Sequence, residues 1–533
     1  MTIIQAILLG LVSAIFSAGF GWTTIQKLVN VPLITGALAG IIMGDPVTGT
    51  ICGGLIQPMF LAFTNAGGNV PQDKSNATLV ATAIVIATGM EPAIALTLCI
   101  PLALILAQLT NVKKLIRSYT SEKIEQCATA GNIKGAKSWA IISMVIGAIV
   151  FFVPVTAVCY LGASTLQNID TLIPTWLMNG LNVSAKLIPA VGVAATMVII
   201  GRKDFLPFFV FGFFICKYTS IGNMQLLIYA CLLVFFYFVV SKEKLSEEDL
   251  NLFVSKEEKK DRILTKKDLN KLWARWDWYC ESQNSFARLQ GPGFALGMDG
   301  ILKKVYKDDE QAYHEAFASH CQFYNTSTVA GGLINGIVAS MEEERALGND
   351  AVTRDAINSI KVGLMGPIAG IGDTIDWSTI KIIFLAIFLT YAQQGALWAP
   401  WAYYAITTTI WCLEGLVYTR MGYKFGVDAA AKILGSKLVK LVFSCAALLG
   451  YFMVGGLSAG YVNVKTGVVI NTASGLAMSL QTDVFDKILP GVLTILAIFG
   501  VYKYLSNKGS IIKATWGLLA IGLVLGGLGI LAA

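Results

Sequence analysis

Gln57, Asn65, Asn69 and Asp73 crowd around a Gly-rich bend, Asn65-Ala-Gly-Gly-Asn-Val-Pro71, set in otherwise apolar sequence. Amides and a carboxylate at that density can pair donors and acceptors with a polar solute in a largely dry cavity. Asp73 is the most telling of them, because an ionisable group beside apolar sequence is expensive unless it is functional or paired. It is the candidate proton acceptor, and its neighbour Lys74 offers the simpler explanation of a neutralising partner. A second acid, Asp373, follows the apolar run Gly366-Pro-Ile-Ala-Gly-Ile-Gly372, with Asp376 and Trp377 close behind. It could face a ligand, or it could cap a helix through its Gly-Asp-Thr turn. No metal or cofactor is expected. The ten cysteines lack metal-ligand spacing and read as small core residues, and the sequence holds no Gly-x4-Gly-Lys-[Ser/Thr] nucleotide loop.

The elements that must hold these residues are set by composition. Of 533 residues 55% are hydrophobic and only 14% charged, with a mean hydropathy of +0.66. Soluble domains carry roughly a quarter charged residues, so lipid is the main solvent here. The runs 79–109, 140–161 and 205–240 are long and apolar enough to cross a hydrocarbon core of about 30 Å. Lys113, Lys114, Arg117, Lys123, Lys134 and Lys137 cluster between two such runs, which by the positive-inside rule marks a cytoplasmic loop. These cations hug membrane spans without aromatic interleaving, so nucleic acid is not an expected partner. Residues 1–19 are apolar but lack a basic leader and a cleavage site, and read as retained sequence.

Gly and Pro interrupt the apolar helices of the first half at Gly36-Ala-Leu-Ala-Gly40-Ile-Ile-Met-Gly44-Asp-Pro46 and at the 65–74 bend. Broken backbone inside apolar sequence persists only where protein or a wet cavity satisfies its hydrogen bonds, and in carriers it usually lines the substrate site. The sharpest change in composition is 241–262, where 13 of 22 residues are charged. It reads as a solvated cytoplasmic linker between a transmembrane module at 1–240 and a second half. That half opens with a capping box, Thr265-Lys-Lys-Asp268. Leu269, Leu272, Trp273, Trp276 and Tyr279 then follow at helical spacing, which predicts an amphipathic helix on the cytoplasmic membrane surface. Residues 263–362 read as that helix plus a cytoplasmic helical region, and 363–533 as a second transmembrane module. The fold class is therefore an all-α polytopic membrane protein with two transmembrane modules and broken or re-entrant helices. Gly40…Gly44-Asp45 and Gly366…Gly372-Asp373 echo each other, as an inverted repeat would or as small-residue helix packing alone would.

At these motifs the chain resembles a known family. The first half is similar to the IIC component of mannose–fructose–sorbose phosphotransferase permeases, through Met43-Gly-Asp-Pro-Val-Thr-Gly49, Asn65…Pro71-x-Asp73, Asn179-Gly-Leu-Asn182 and Phe205-Leu-Pro-Phe-Phe209. The second half resembles IID through Gln290-Gly-Pro-Gly-Phe294, Phe323-Tyr-Asn-Thr326, Met341-Glu-Glu-Glu344 and the long string Ile360-Lys-Val-Gly-Leu-Met-Gly-Pro-Ile-Ala-Gly-Ile-Gly-Asp-Thr374. IIC and IID are normally separate chains, and here they are joined. Gln57 stands where many relatives carry Glu, and Gln283 replaces a usual Trp.

The resemblance implies a multi-pass permease of the bacterial cytoplasmic membrane, assembled as a homotrimer. It would bind a hexose or amino sugar that phosphorylated IIB (IIAB) phosphorylates during uptake. Gln57, Asn65, Asn69 and Asp73 would supply most of the sugar site, with Asn325 and Asp373 contributing from IID. His314 and His320 would be structural, since the phosphohistidines belong to separate IIA and IIB proteins. Glu342, Glu343 and Glu344 would serve partner docking or helix pairing. The rival reading is an ion-coupled secondary sugar transporter with Asp73 and Asp373 as coupling acids.

Overall fold

The computed structural model describes residues 1–28, 30–60, 73–165, 175–187, 189–200, 202–219, 221, 223–242, 262–285, 288–435, 437–471, 477–507, 509 and 511–532. The described residues are almost wholly helical, with two short antiparallel ribbons among them, Lys465–Thr466 against Leu531–Ala532 and Val469–Asn471 against Ala477–Ser479. Among the described residues four helices are long and apolar enough to cross a membrane, and a pair bent by 73°, Leu480–Ile488 with Val492–Ser506, would make a fifth.

The first half begins with α1 (Ile3–Ala18), α2 (Pro32–Met43), α3 (Pro46–Ile56) and α4 (Lys74–Thr88). At 12 and 11 residues, α2 and α3 are only about 18 and 16 Å long, too short to span singly. They fold back on each other because glycine faces glycine. A Cβ on Gly49 would sit 2.4 Å from the Gly40 Cα, and one on Gly36 2.6 Å from the Gly53 Cα. Gly44, at φ 88°, ends α2, and Asp45 caps α3 by accepting from the Thr48 amide at 3.0 Å. This is a re-entrant hairpin written in the sequence.

The long helices α5 (Ile94–Thr129) and α6 (Ile133–Thr165) form a second hairpin, followed by α7 (Thr175–Leu187), α8 (Pro189–Ile200), α9 (Leu206–Thr219) and α10 (Asn223–Lys242). After the linker come α11 (Lys266–Tyr279), α12 (Gly291–Val305), α13 (Glu310–His320) and α14 (Gly332–Ala346). Then α15 (Arg354–Gly372) runs through a π-helical stretch, Asp373–Ile380, into α16 (Lys381–Gln393). The chain finishes with α17 (Trp398–Gly435, kinked at Gly426), α18 (Lys437–Tyr461), α19 (Val492–Ser506) and α20 (Ile511–Gly527).

The two halves of the sequence do not form two separate cores. One core joins Ile124, Ala128 and Ala136 of the α5–α6 hairpin to Leu269, Trp276 and Phe294. Another joins Val183, Phe209 and Leu226 to Ile382, Tyr451 and Phe452. Polar ties reinforce both: the Ser184 hydroxyl donates to the Leu519 carbonyl, and Arg117 donates to the Ser17, Ala18 and Glu281 carbonyls.

Two expectations change. The capping box of α11 forms as read, Thr265 and Asp268 bonding reciprocally. Its apolar face, however, lies on protein: Leu269, Leu272, Trp273 and Trp276 are buried, and the Trp276 indole donates to the Thr328 carbonyl at 2.8 Å. Helical periodicity reports an apolar face without saying whether lipid or protein covers it. The echo between halves also fails, because Gly44-Asp45 turns a hairpin whereas Gly372-Asp373 lies inside a continuing helix.

Candidate functional site

The loop between α1 and α2 carries Trp22 and Lys27 into the interior. It is pinned by Asp277 at the end of α11, whose carboxylate accepts from the Thr23 amide at 2.7 Å and the Thr23 hydroxyl at 2.6 Å. Burial pushes the Asp277 carboxyl up from its ordinary value, with the Thr23 bonds and the Lys27 charge opposing. So held, the Lys27 ammonium is buried against aromatic faces, 3.5 Å from the Trp411 ring centre, 3.8 Å from Trp377 and 5.8 Å from Trp22. Cation–π attraction of this kind is strongest when desolvated.

Asp376 is a second acidic neighbour of Lys27 beside Asp277, and Glu414 of α17 adjoins it. The π-helical stretch that carries Asp373, Asp376 and Trp377 is the type of irregularity that recurs at functional sites. Asp376 and Glu414 hydrogen-bond each other through their side chains, and the Trp411 indole N–H beside them has no hydrogen-bond partner among the described residues. Buried polar atoms are nearly always bonded, so an unbonded indole N–H beside a buried carboxyl pair in one aromatic box makes this the candidate site for a polar solute. Lys381, also buried, sits 5.3 Å from the Trp377 ring, and Lys74 is a charged neighbour of both Lys27 and Lys381.

The sequence-selected residues divide. Asp373 stands in the π-helical stretch beside Asp376 and continues the helix, so it does not act as an N-cap. Asp73 caps α4, accepting from the Asn76 amide at 3.0 Å and the Asn76 side chain at 2.8 Å, which places the cluster's Lys74 at the first turn of that helix. Gln57 is buried and accepts from the Leu33 amide at 3.2 Å, tying the tip of α3 to the start of α2. The Asn325 amide faces the Met365 sulfur at 3.1 Å, just over two helical turns before Asp373. Asn65 and Asn69 lie outside the described residues. Lys27, Trp411 and Glu414 were missed, although each had a signal: a charge or indole inside an apolar run, as in Trp411-Cys-Leu-Glu414.

Elsewhere, Glu342 and Glu343 pair within the fold. Glu342 takes the Tyr306 hydroxyl and Arg354, while Glu343 takes the Ile263 and Leu264 amides and the Tyr423 hydroxyl. His320 is buried 2.9 Å from Glu342. Among the described residues no group of three or more His, Cys, Asp or Glu could hold a metal ion.

Comparison with known proteins identifies the family. Residues 3–238 match the profile of the phosphotransferase-system sorbose-specific IIC component, and residues 263–531 that of the mannose/fructose/sorbose family IID component. The second half is 30% identical to the mannose-specific EIID component of Escherichia coli K12 over 49% of this chain and 93% of that protein. The first half is 30% identical to the mannose-specific EIIC component of the same organism, over 45% of this chain and 90% of that protein. The fructose permease IID component of Bacillus subtilis is 31% identical over 44% of this chain and 85% of its own. The two mannose-specific relatives are named as phosphotransferase-system components, and nothing in these comparisons supports an ion-coupled carrier. With two family profiles accounting for nearly all of it outside the charged linker, the chain belongs to the mannose/fructose/sorbose family of phosphotransferase-system sugar permeases, with its IIC and IID components fused in one polypeptide.

Proposed function

We propose that this permease binds a hexose or amino sugar against the Lys27–Asp376–Glu414 cluster and delivers it to a phosphorylated IIB partner, with IIA upstream. The observation that carries the reading is the buried Asp376–Glu414 carboxyl pair and the unpartnered Trp411 indole N–H inside a tryptophan-walled box to which both regions contribute. A sugar ring offers an apolar C–H face to indole and a rim of hydroxyls to carboxylates, so both halves of that chemistry are met. Relatives named for mannose and fructose support a hexose. Asp73, Gln57 and Asn325 act in this reading mainly by shaping helix ends around the site, with Asp373 at its edge. Transfer of the phosphoryl group to a sugar hydroxyl releases that hydroxyl's proton, and Asp376 is the acceptor we favour over the helix-capping Asp73. The permease works as a homotrimer in the bacterial cytoplasmic membrane, with linker 241–262 on the cytoplasmic side.

The test is sugar binding by purified protein, read through tryptophan fluorescence, for the parent and Asp376→Asn. Loss of a charge-assisted hydrogen bond worth about 1.5–3 kcal/mol weakens Kd about 10- to 100-fold. Unchanged affinity for every hexose and amino sugar that the parent binds would place the site elsewhere.

A further inference from the structure

Asp299, in α12, is buried and yet gathers more positive charge than it can neutralise. Lys137 Nζ lies 2.9 Å from its carboxylate, Lys303 Nζ 3.8 Å and Arg275 Nη1 4.0 Å, while the Tyr313 hydroxyl donates to the other oxygen at 2.8 Å. Three cations on one carboxylate leave an excess of two positive charges. Their side chains are 37%, 54% and 43% exposed, so the excess faces outward. Burial lowers the Lys303 ammonium from its ordinary value, and the Lys137 and Arg275 charges push the same way against Asp299.

The cluster stands at one particular height. At the start of α6, Lys134 and Ser138 are exposed polar residues, whereas further along it Ile141, Ile142, Val145, Ile149 and Val153 are exposed apolar ones. On α5 the exposed side changes from Ile105, Val112, Leu115 and Tyr119 to Glu122 and Gln126. Tyr119 and Trp139 meet edge to face at 6.2 Å where the two changes coincide, as an interfacial aromatic pair does. Lys137 lies one helical turn beyond Ile141 and two residues from Trp139, so the three cations sit at the level of lipid headgroups on the basic, cytoplasmic side.

We propose that Lys137, Arg275 and Lys303 form a binding site for the phosphate of an anionic phospholipid headgroup, at the seam between the α5–α6 hairpin of the first half and α11–α12 of the second. The charge excess, its exposure and the adjoining lipid-facing surface all point to a lipid rather than to a soluble anion. Because the site joins the two halves, an occupied headgroup stabilises their union.

The experiment places the full chain in phosphatidylcholine nanodiscs with and without phosphatidylglycerol, and follows thermal unfolding and lipid retention by native mass spectrometry. Phosphatidylglycerol is expected to raise the melting temperature and to be retained by the parent. At about 1 kcal/mol per cation near an anionic surface, Arg275→Gln with Lys303→Gln together weaken retention about 30-fold. Lys137→Gln alone weakens it about fivefold and keeps the test decisive if the double variant fails to fold. Lys307→Gln, at an exposed lysine beside Asp308, leaves retention unchanged. An equal phosphatidylglycerol effect in parent and cluster variants overturns the proposal. So does an equal effect of inorganic phosphate in phosphatidylcholine alone, or no effect on the parent.

Discussion

Replacing Glu342 tests how the cytoplasmic helices are held. Its carboxylate is fully buried in α14 and serves three partners: the Tyr306 hydroxyl at 2.6 Å, Arg354 Nη1 at 2.6 and 2.7 Å, and His320 Nε2 at 2.9 Å. Glu342→Ala leaves a guanidinium, a phenol and an imidazole facing one another with no carboxylate to balance the charge. Removing one partner of a buried ion pair costs about 3–5 kcal/mol. Arg354 keeps 18% of its side chain in contact with solvent, so the low end, about 3 kcal/mol, applies. Glu342→Gln keeps an acceptor for Tyr306 and loses the charge, costing about 1.5 kcal/mol.

Acid acts on the same cluster. Burial lowers the His320 imidazole from 6.5 to about 4, with Glu342 opposing and Lys361 and Arg354 adding to the fall. Between those values the unfolded imidazole takes up a proton that the folded one refuses, so stability falls with pH by about 3 kcal/mol and then levels. Burial would raise Glu342, but His320, Arg354 and Tyr306 hold it down to about 2, which adds a second loss as pH falls from 4.5 toward 2. The assay is thermal unfolding in detergent at stepped pH for the parent, Glu342→Gln, Glu342→Ala and His320→Asn. At pH 7 the expected order of melting temperature is parent, then Gln, then Ala, and His320→Asn flattens the slope between pH 6.5 and 4. An alanine variant that melts with the parent, or an asparagine variant with the parent's acid slope, would refute the reasoning.

Three further outcomes follow from single contacts. Asp73→Asn keeps a helix cap and is expected to preserve sugar phosphorylation within a few-fold, whereas Asp73→Ala costs about 1 kcal/mol of stability; abolished phosphorylation in a well-folded Asp73→Asn protein would restore Asp73 as the proton acceptor. Gly49→Ala forces a methyl group against the Gly40 backbone and is expected to lower the melting temperature and transport together, while the same change at Gly44, where no atom lies within 4 Å, acts only through its positive φ. Glu343→Ala strips the acceptor from the Ile263 and Leu264 amides and is expected to speed proteolysis at the adjoining linker, measured by limited trypsin digestion against the parent.

What could be read from the sequence was local. The capping box at Thr265 and Asp268, the turn at Gly44 and Asp45, and the membrane class all rest on short-range chemistry or composition, and all are present in the fold. The facing glycines of α2 and α3 were visible as spacing, because only Gly allows backbones so close. Long-range placement was not legible. Nothing in a period of 3.6 distinguishes a face on lipid from a face on protein, and so α11 was assigned to the membrane surface. Nor does a charged linker report that helices on either side of it share cores, as Phe209 and Phe452 do. Asp73, an acid beside a Gly-rich bend, caps α4 in the fold. Lys27 and Glu414, single charges in apolar sequence, carried the plainer energetic signal.

The central claim is that this fused chain moves sugar only in concert with phosphoryl transfer. Vesicles containing the protein should be given radiolabelled hexoses and amino sugars, with and without phosphorylated IIB inside. Sugar phosphate accumulating only when phospho-IIB is supplied, and lost in Asp376→Asn, is the predicted result. Free sugar accumulating under a proton or sodium gradient alone would contradict it.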